Sequence, residues 1–262
     1  MPTFDETKQI FKDTYAKQGF RLADEHEREL FFAVGETDRI RLAVPAEEIE
    51  EYQSVAAELP AIQVGPVDTS IIGPNFREQL IETATPSRVP MIFFRNRPVR
   101  FEAPEGDGIA VSIGPPSPTF FNFFRLRKEQ AVFLRDRLDR SVYASGGTMR
   151  DVFRRFLTIR IETSEPIEPR DLDKITPTFE SCLFELSYTR GAHFQLQNEW
   201  PSFGLRRRSL FLGRGRVGGS LPLKRIRYSL PALRFYQRGV ATDDTYIQFL
   251  SFYTYWSSIL SA

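Results

Sequence analysis

The feature that most constrains this fold is a change of hydrophobic period in the second half of the chain. Across residues 156–163, Leu157, Ile159 and Ile161 alternate with Thr158, Arg160 and Glu162, the period of a strand. Leu172, Ile175, Phe179, Cys182 or Leu183, and Leu186 then recur at helical steps, despite Pro177. A segment that switches in this way must bury a helix stripe against a sheet face. The switch recurs elsewhere. Phe4, Phe11 and Tyr15 predict an amphipathic helix over residues 4–20, and residues 30–34 and 39–44 predict a hairpin around Gly35. Pro45 opens a second helix, with Ile49, Tyr52, Ala56 and Leu59 on one face and Glu47 and Glu48 complementing its dipole.

From residue 61 to 114 the signal is β, carried by Ile62 and Val64, residues 89–94, residues 99–101, and the alternating Ile109, Val111 and Ile113. A helix over 127–143 follows from the stripe Ala131, Leu134, Leu138 and Val142. Phe194 and Leu196 alternate again, and residues 209–212 and 221–228 are short strand candidates. Two helices close the chain, one with Leu233, Tyr236 and Val240 on a face and one running from Asp243 to the terminus. No internal repeat is visible. The expected class is α+β: mainly antiparallel sheets with flanking helices and a C-terminal helical pair. Ser145-Gly146-Gly147 is the best boundary signal, so two α+β regions are expected, 1–145 and 146–262.

At 262 residues and 41% hydrophobic content the chain can bury a proper core. Of its 24 phenylalanines, eight cluster in Phe31-Phe32, Phe93-Phe94 and residues 120–124, and one or more of these clusters is read as facing a core, with a partner surface as the alternative. A single cysteine, Cys182, excludes an intramolecular disulfide, and no basic-then-apolar leader or apolar stretch of spanning length is present; a cytoplasmic protein is expected.

Net charge is only +1, yet residues 1–60 hold fourteen acids against seven bases. Residues 203–239 hold ten bases, Arg206, Arg207, Arg208, Arg214, Arg216, Lys224, Arg225, Arg227, Arg234 and Arg238, and no acid. Bases without interspersed acids cannot neutralise one another locally, and arginine forks bind phosphate or carboxylate. The partner is therefore nucleic acid, an acidic protein surface, or the chain's own acidic N-terminal third. Arg206, Arg207, Arg208, Arg214, Arg216, Lys224, Arg225 and Arg227 are the nucleic-acid contacts expected under the first reading.

Catalytic hardware is scarce. His26 lies in the charged run Asp24-Glu25-His26-Glu27-Arg28-Glu29, whose composition predicts solvated surface, and His193 falls on the polar side of a short strand. Cys182 shares an apolar stripe, which predicts a buried, unreactive thiol. Residues 213–218 spell G-x-G-x-x-G, but a strand-like segment follows where a pyrophosphate would need a helix N-terminus; a basic hairpin tip is the better reading. No catalytic residue, metal site or cofactor is expected.

Residues 230–253, LPALRFYQRGVATDDTYIQFLSFY, resemble the start of the helical region in uncharacterised bacterial proteins related to the HEPN superfamily. The resemblance implies a nucleic-acid-targeting component of an antiphage system. HEPN ribonucleases place a His about a turn after an Arg, and no histidine follows His193 here; the resemblance then implies a recognition or assembly subunit, or a truncated relative, without the ribonuclease centre. The rival expectation is a metal-dependent nuclease or phosphotransferase using carboxylates and arginines. Phe249, Phe252, Tyr253, Trp256 and Leu260 make the last helix apolar round much of its circumference, so a second protein chain is expected to cover it, the alternative being burial between this chain's own two halves.

Overall fold

A computed structural model describes residues 1–33, 41–83, 98–102, 108–127, 148–153, 156–190, 194–198, 200, 233, 235–236, 239 and 250–251. The chain forms two compact units, and each draws on separate stretches of sequence. The first takes Met1–Val64, Pro115–Phe156 and Trp200–Arg206; the second takes Gly65–Gly114, Leu157–Glu199 and Arg207–Ala262.

In the first unit, helix α1 (Phe4–Lys17) begins at a capping box, in which Thr3 Oγ1 accepts from the Glu6 amide while the Glu6 carboxylate accepts from the Thr3 amide. Its apolar stripe puts Phe11 and Tyr15 fully inside. Gly19, at φ 83°, supplies the left-handed turn that leads out of the helix. The three-stranded antiparallel sheet β1 (Arg21–His26), β2 (Glu29–Ala33) and β3 (Arg41–Val44) then follows in chain order. Leu30 opposes Val44 and Phe32 opposes Leu42, which buries these four side chains on one face. The hairpin expected from residues 30–44 is thus the β2–β3 pair. β1 was not expected: its charged residues read as surface, and they are exposed, but they form a strand whose register shifts between Leu22 and Asp24.

Helix α2 (Ala46–Val55) starts after Pro45 as expected and buries Ile49, Tyr52 and Val55; the short strand β4 (Gln63–Val64) ends this stretch. Helix α3 (Pro118–Arg125) is capped by Ser117, whose Oγ accepts from the Phe120 amide. The aromatic run 120–124 lies on α3, and Phe120, Phe121 and Phe124 are fully buried, which makes this cluster core. Helix α4 (Met149–Phe153) packs Phe153 on Phe121 at 4.9 Å between ring centroids, and Trp200 meets Phe124 at 4.9 Å.

The second unit is a sheet with one long helix. Strands β5 (Ser70–Gly73), β6 (Phe76–Thr83), β7 (Val99–Arg100), β8 (Ile109–Gly114) and β9 (Leu157–Thr163) run in the order β5-β6-β9-β8-β7, every neighbour antiparallel. Gly73 is required at the β5–β6 turn, because a Cβ there would stand 2.2 Å from the Phe76 ring. Helix α5 (Leu172–Arg190) lays Ile175, Phe179, Cys182, Leu183 and Leu186 on Val111, Ile113, Leu157, Ile159 and Ile161. Strand β10 (Phe194–Leu196) pairs with the far end of β6. The period switch between β9 and α5 therefore reports the contact that builds this core.

Together these elements make the α+β class expected from the pattern. The expected strand 89–94 and almost all of the expected helix 127–143 lie outside the described residues. Of the closing helices, Leu233, Phe235, Tyr236, Gly239, Leu250 and Ser251 have helical backbone, and the Tyr236 ring packs on Phe184 at 4.8 Å. Among the described residues, no helix is long and apolar enough to cross a membrane.

Candidate functional site

In the first unit the charged centre is a buried ion pair. The spacing from Phe121 to Arg125 is one helical turn, so Arg125 falls on the apolar side of α3 and is 0% exposed. Its Nη1 donates to Glu48 Oε2 at 2.6 Å and its Nη2 to the Glu48 carbonyl at 3.1 Å. The guanidinium lies over the rings of Phe11 and Phe121, at 4.2 and 4.6 Å from their centroids. Glu48 Oε1 accepts from the Arg150 amide on α4, and Gln18, just past α1, donates to the Arg125 carbonyl. Burial pushes the Glu48 carboxyl above the ordinary carboxylate range, and the Arg125 charge opposes that push. The adjacent Tyr15 phenol is pushed up to about 12 by burial. Arg125 Nε, the Tyr15 hydroxyl and Asn122 Oδ1 are buried with no hydrogen-bond partner among the described residues.

Other acids of the N-terminal third are also held locally. Glu25 accepts from Lys8 and Lys12 on α1, Glu50 pairs with Arg28, and Glu51 with Arg150. Lys12 and Lys8 hold the Glu25 carboxyl below the usual range. Part of the counter-charge comes from later sequence: Arg125 pairs with Glu48 and Arg150 with Glu51.

In the second unit, β6 sends Arg77 and Gln79 to the α5 side of the sheet and Glu78 to the other. Arg77 is 2% exposed, with its Cζ 5.3 Å from the Phe179 ring centroid. Burial lowers its pKa to about 10. On the opposite face Glu78 accepts from Thr158 Oγ1 and from Arg160, which lies 3.8 Å above the Phe76 ring. Cys182 is fully buried, and burial pushes its thiol up to about 12, as its stripe implied. His26 is exposed, with Nε2 3.6 Å from Asp24 Oδ2.

The expected nucleic-acid contacts Arg206, Arg207, Arg208, Arg214, Arg216, Lys224, Arg225 and Arg227 lie outside the described residues, as does His193. So do Phe249, Phe252, Tyr253, Trp256 and Leu260; beside them, Ser251 is buried and Leu250 is 41% exposed. Arg77, Glu48 and Arg125 were not anticipated from sequence. Arg125 was findable, because an arginine four residues after Phe121 in a phenylalanine-rich helix must enter the core. Arg77 was not, because its strand alternates between two mixed faces. Among the described residues, no group of three or more His, Cys, Asp or Glu side chains is gathered as a metal ion would require.

Comparison with protein-family models, with curated proteins and with solved structures returns no match.

Proposed function

We propose that this chain is a non-enzymatic binding or assembly subunit that holds nucleic acid through Arg206, Arg207, Arg208, Arg214, Arg216, Lys224, Arg225 and Arg227. The observation that carries this reading is where the acidic N-terminal third finds its counter-charge. Glu25, Glu48, Glu50 and Glu51 are engaged by Lys8, Lys12, Arg125, Arg28 and Arg150, none of which belongs to the basic tract. These four of the fourteen acids are engaged by bases outside the tract and are poor partners for it, which supports an anion of another origin. The tract then calls for an anion from outside the chain, and a polyphosphate backbone presents such charge at regular spacing. The resemblance of residues 230–253 to HEPN-related proteins adds a setting, a prokaryotic antiviral complex in the cytoplasm. In that setting the last helix, with Trp256 as anchor, is the part that meets a second protein chain.

Nucleic-acid affinity measured by fluorescence anisotropy should fall linearly on a log-log plot as salt rises, with a slope of roughly −0.9 for each duplex phosphate neutralised. The triple variant R206A/R207A/R208A should flatten that slope. Absence of binding to both DNA and RNA at low salt, with the protein folded, would remove the reading.

A further inference from the structure

Seven successive residues of α5, Ser181 to Ser187, are buried, although a sheet can cover only one side of a helix. Cys182, Leu183 and Leu186 are on the sheet side. Ser181, Phe184 and Glu185 share the opposite side, at the spacing of one helical face. The cover over Phe184 comes from the closing part of the chain: the Tyr236 ring packs edge-on against it at 4.8 Å between centroids, and Leu233, one turn before Tyr236, is fully buried. This contact stands at the end of the basic tract. Arg227 lies six residues before Leu233, and Arg234 and Arg238 flank Tyr236 in the sequence. Bases close to a held point have fewer arrangements to lose than the same bases on a free tail, and ordering entropy is a main cost of binding.

We propose that Tyr236 is a positioning residue for the basic tract: its packing on Phe184 holds the tract's C-terminal end, so that nucleic-acid binding and the covering of α5 are coupled. The proposal rests on the nucleic-acid reading and adds to it a link between the tract and the core of the second unit. Such a link is reciprocal. If docking of Tyr236 on α5 strengthens binding, bound nucleic acid strengthens that docking by the same factor.

Two measurements on the full chain test it, with labelled duplex DNA or single-stranded RNA, whichever the wild type binds. By anisotropy, Y236A should bind at least about threefold more weakly at an unchanged salt slope, because it loses order and no phosphate contact. Y236F, which keeps the ring, should match the wild type. A smaller loss, a loss with a flatter slope, or a loss shared by Y236F overturns the proposal. In hydrogen exchange of the wild type, saturating nucleic acid should slow amides 181–187 more than those of β8 and β9, which a uniform stabilisation would slow alike. Equal slowing, or none, overturns the proposal as well, and this arm needs no variant that might fail to fold. Failure of the wild type to bind either nucleic acid removes the nucleic-acid reading and this proposal with it; binding with a negative result in either arm removes the coupling alone.

Discussion

Cys182 shows how far one residue can be read from its neighbours. Its place among Phe179, Leu183 and Leu186 at helical steps predicted a buried thiol, and it is fully enclosed on α5. Burial raises its pKa from 9.0 in the open chain to about 12 in the folded one. The folded state therefore holds its proton over a window where the unfolded state has lost it. The associated stability is complete below pH 9 and is lost as pH rises towards 12, at up to about 1.4 kcal/mol per pH unit. Urea denaturation between pH 8 and 11 should show a shallower alkaline loss in C182A than in the wild type. Equal slopes would mean the thiol is reached by water. Glu48, by contrast, was read only as a helix-dipole partner, because nothing near it in sequence announces Arg125.

Among the elements, those with a clean single period were legible and those with two mixed faces were not. β9 and α5 follow directly from alternation and helical steps. β6 is central in its sheet yet was missed, since Phe76-Arg77-Glu78-Gln79-Leu80-Ile81 buries polar groups on both sides and so imitates a loop. What decides such a strand is long-range pairing with β9, which no local window contains. The Glu48–Arg125 pair works at this scale too, because it joins α2, α3 and the start of α4. E48Q and R125M should each cost about 3–5 kcal/mol in urea denaturation, as each leaves a buried partner uncompensated. The double variant should cost clearly less than the two together, through their shared partner. Strict additivity would show that the pair is not a unit.

At the scale of the molecule, the contrast between acidic start and basic end is a property of the sequence that folding partly dissolves, as Arg125 and Arg150 reach Glu48 and Glu51. That redistribution could not be read without knowing which distant segments share a unit. For the terminal helix, W256A should dissociate a complex in sedimentation while the isolated chain keeps its melting temperature. A loss of about 3–5 kcal/mol in the isolated chain would instead mark Trp256 as core. The separation of Glu48 from Arg125, 77 residues along the chain, also has a meaning at birth. A ribosome adding roughly 5–20 residues per second delivers the arginine about 4–15 s after the glutamate, whereas helices and hairpins form within microseconds. During that interval the segments of α1, α2 and the small sheet have been synthesised but have no guanidinium to close over. The nascent first unit must wait for α3 to bring the arginine, and then for α4 and Trp200 to finish its core.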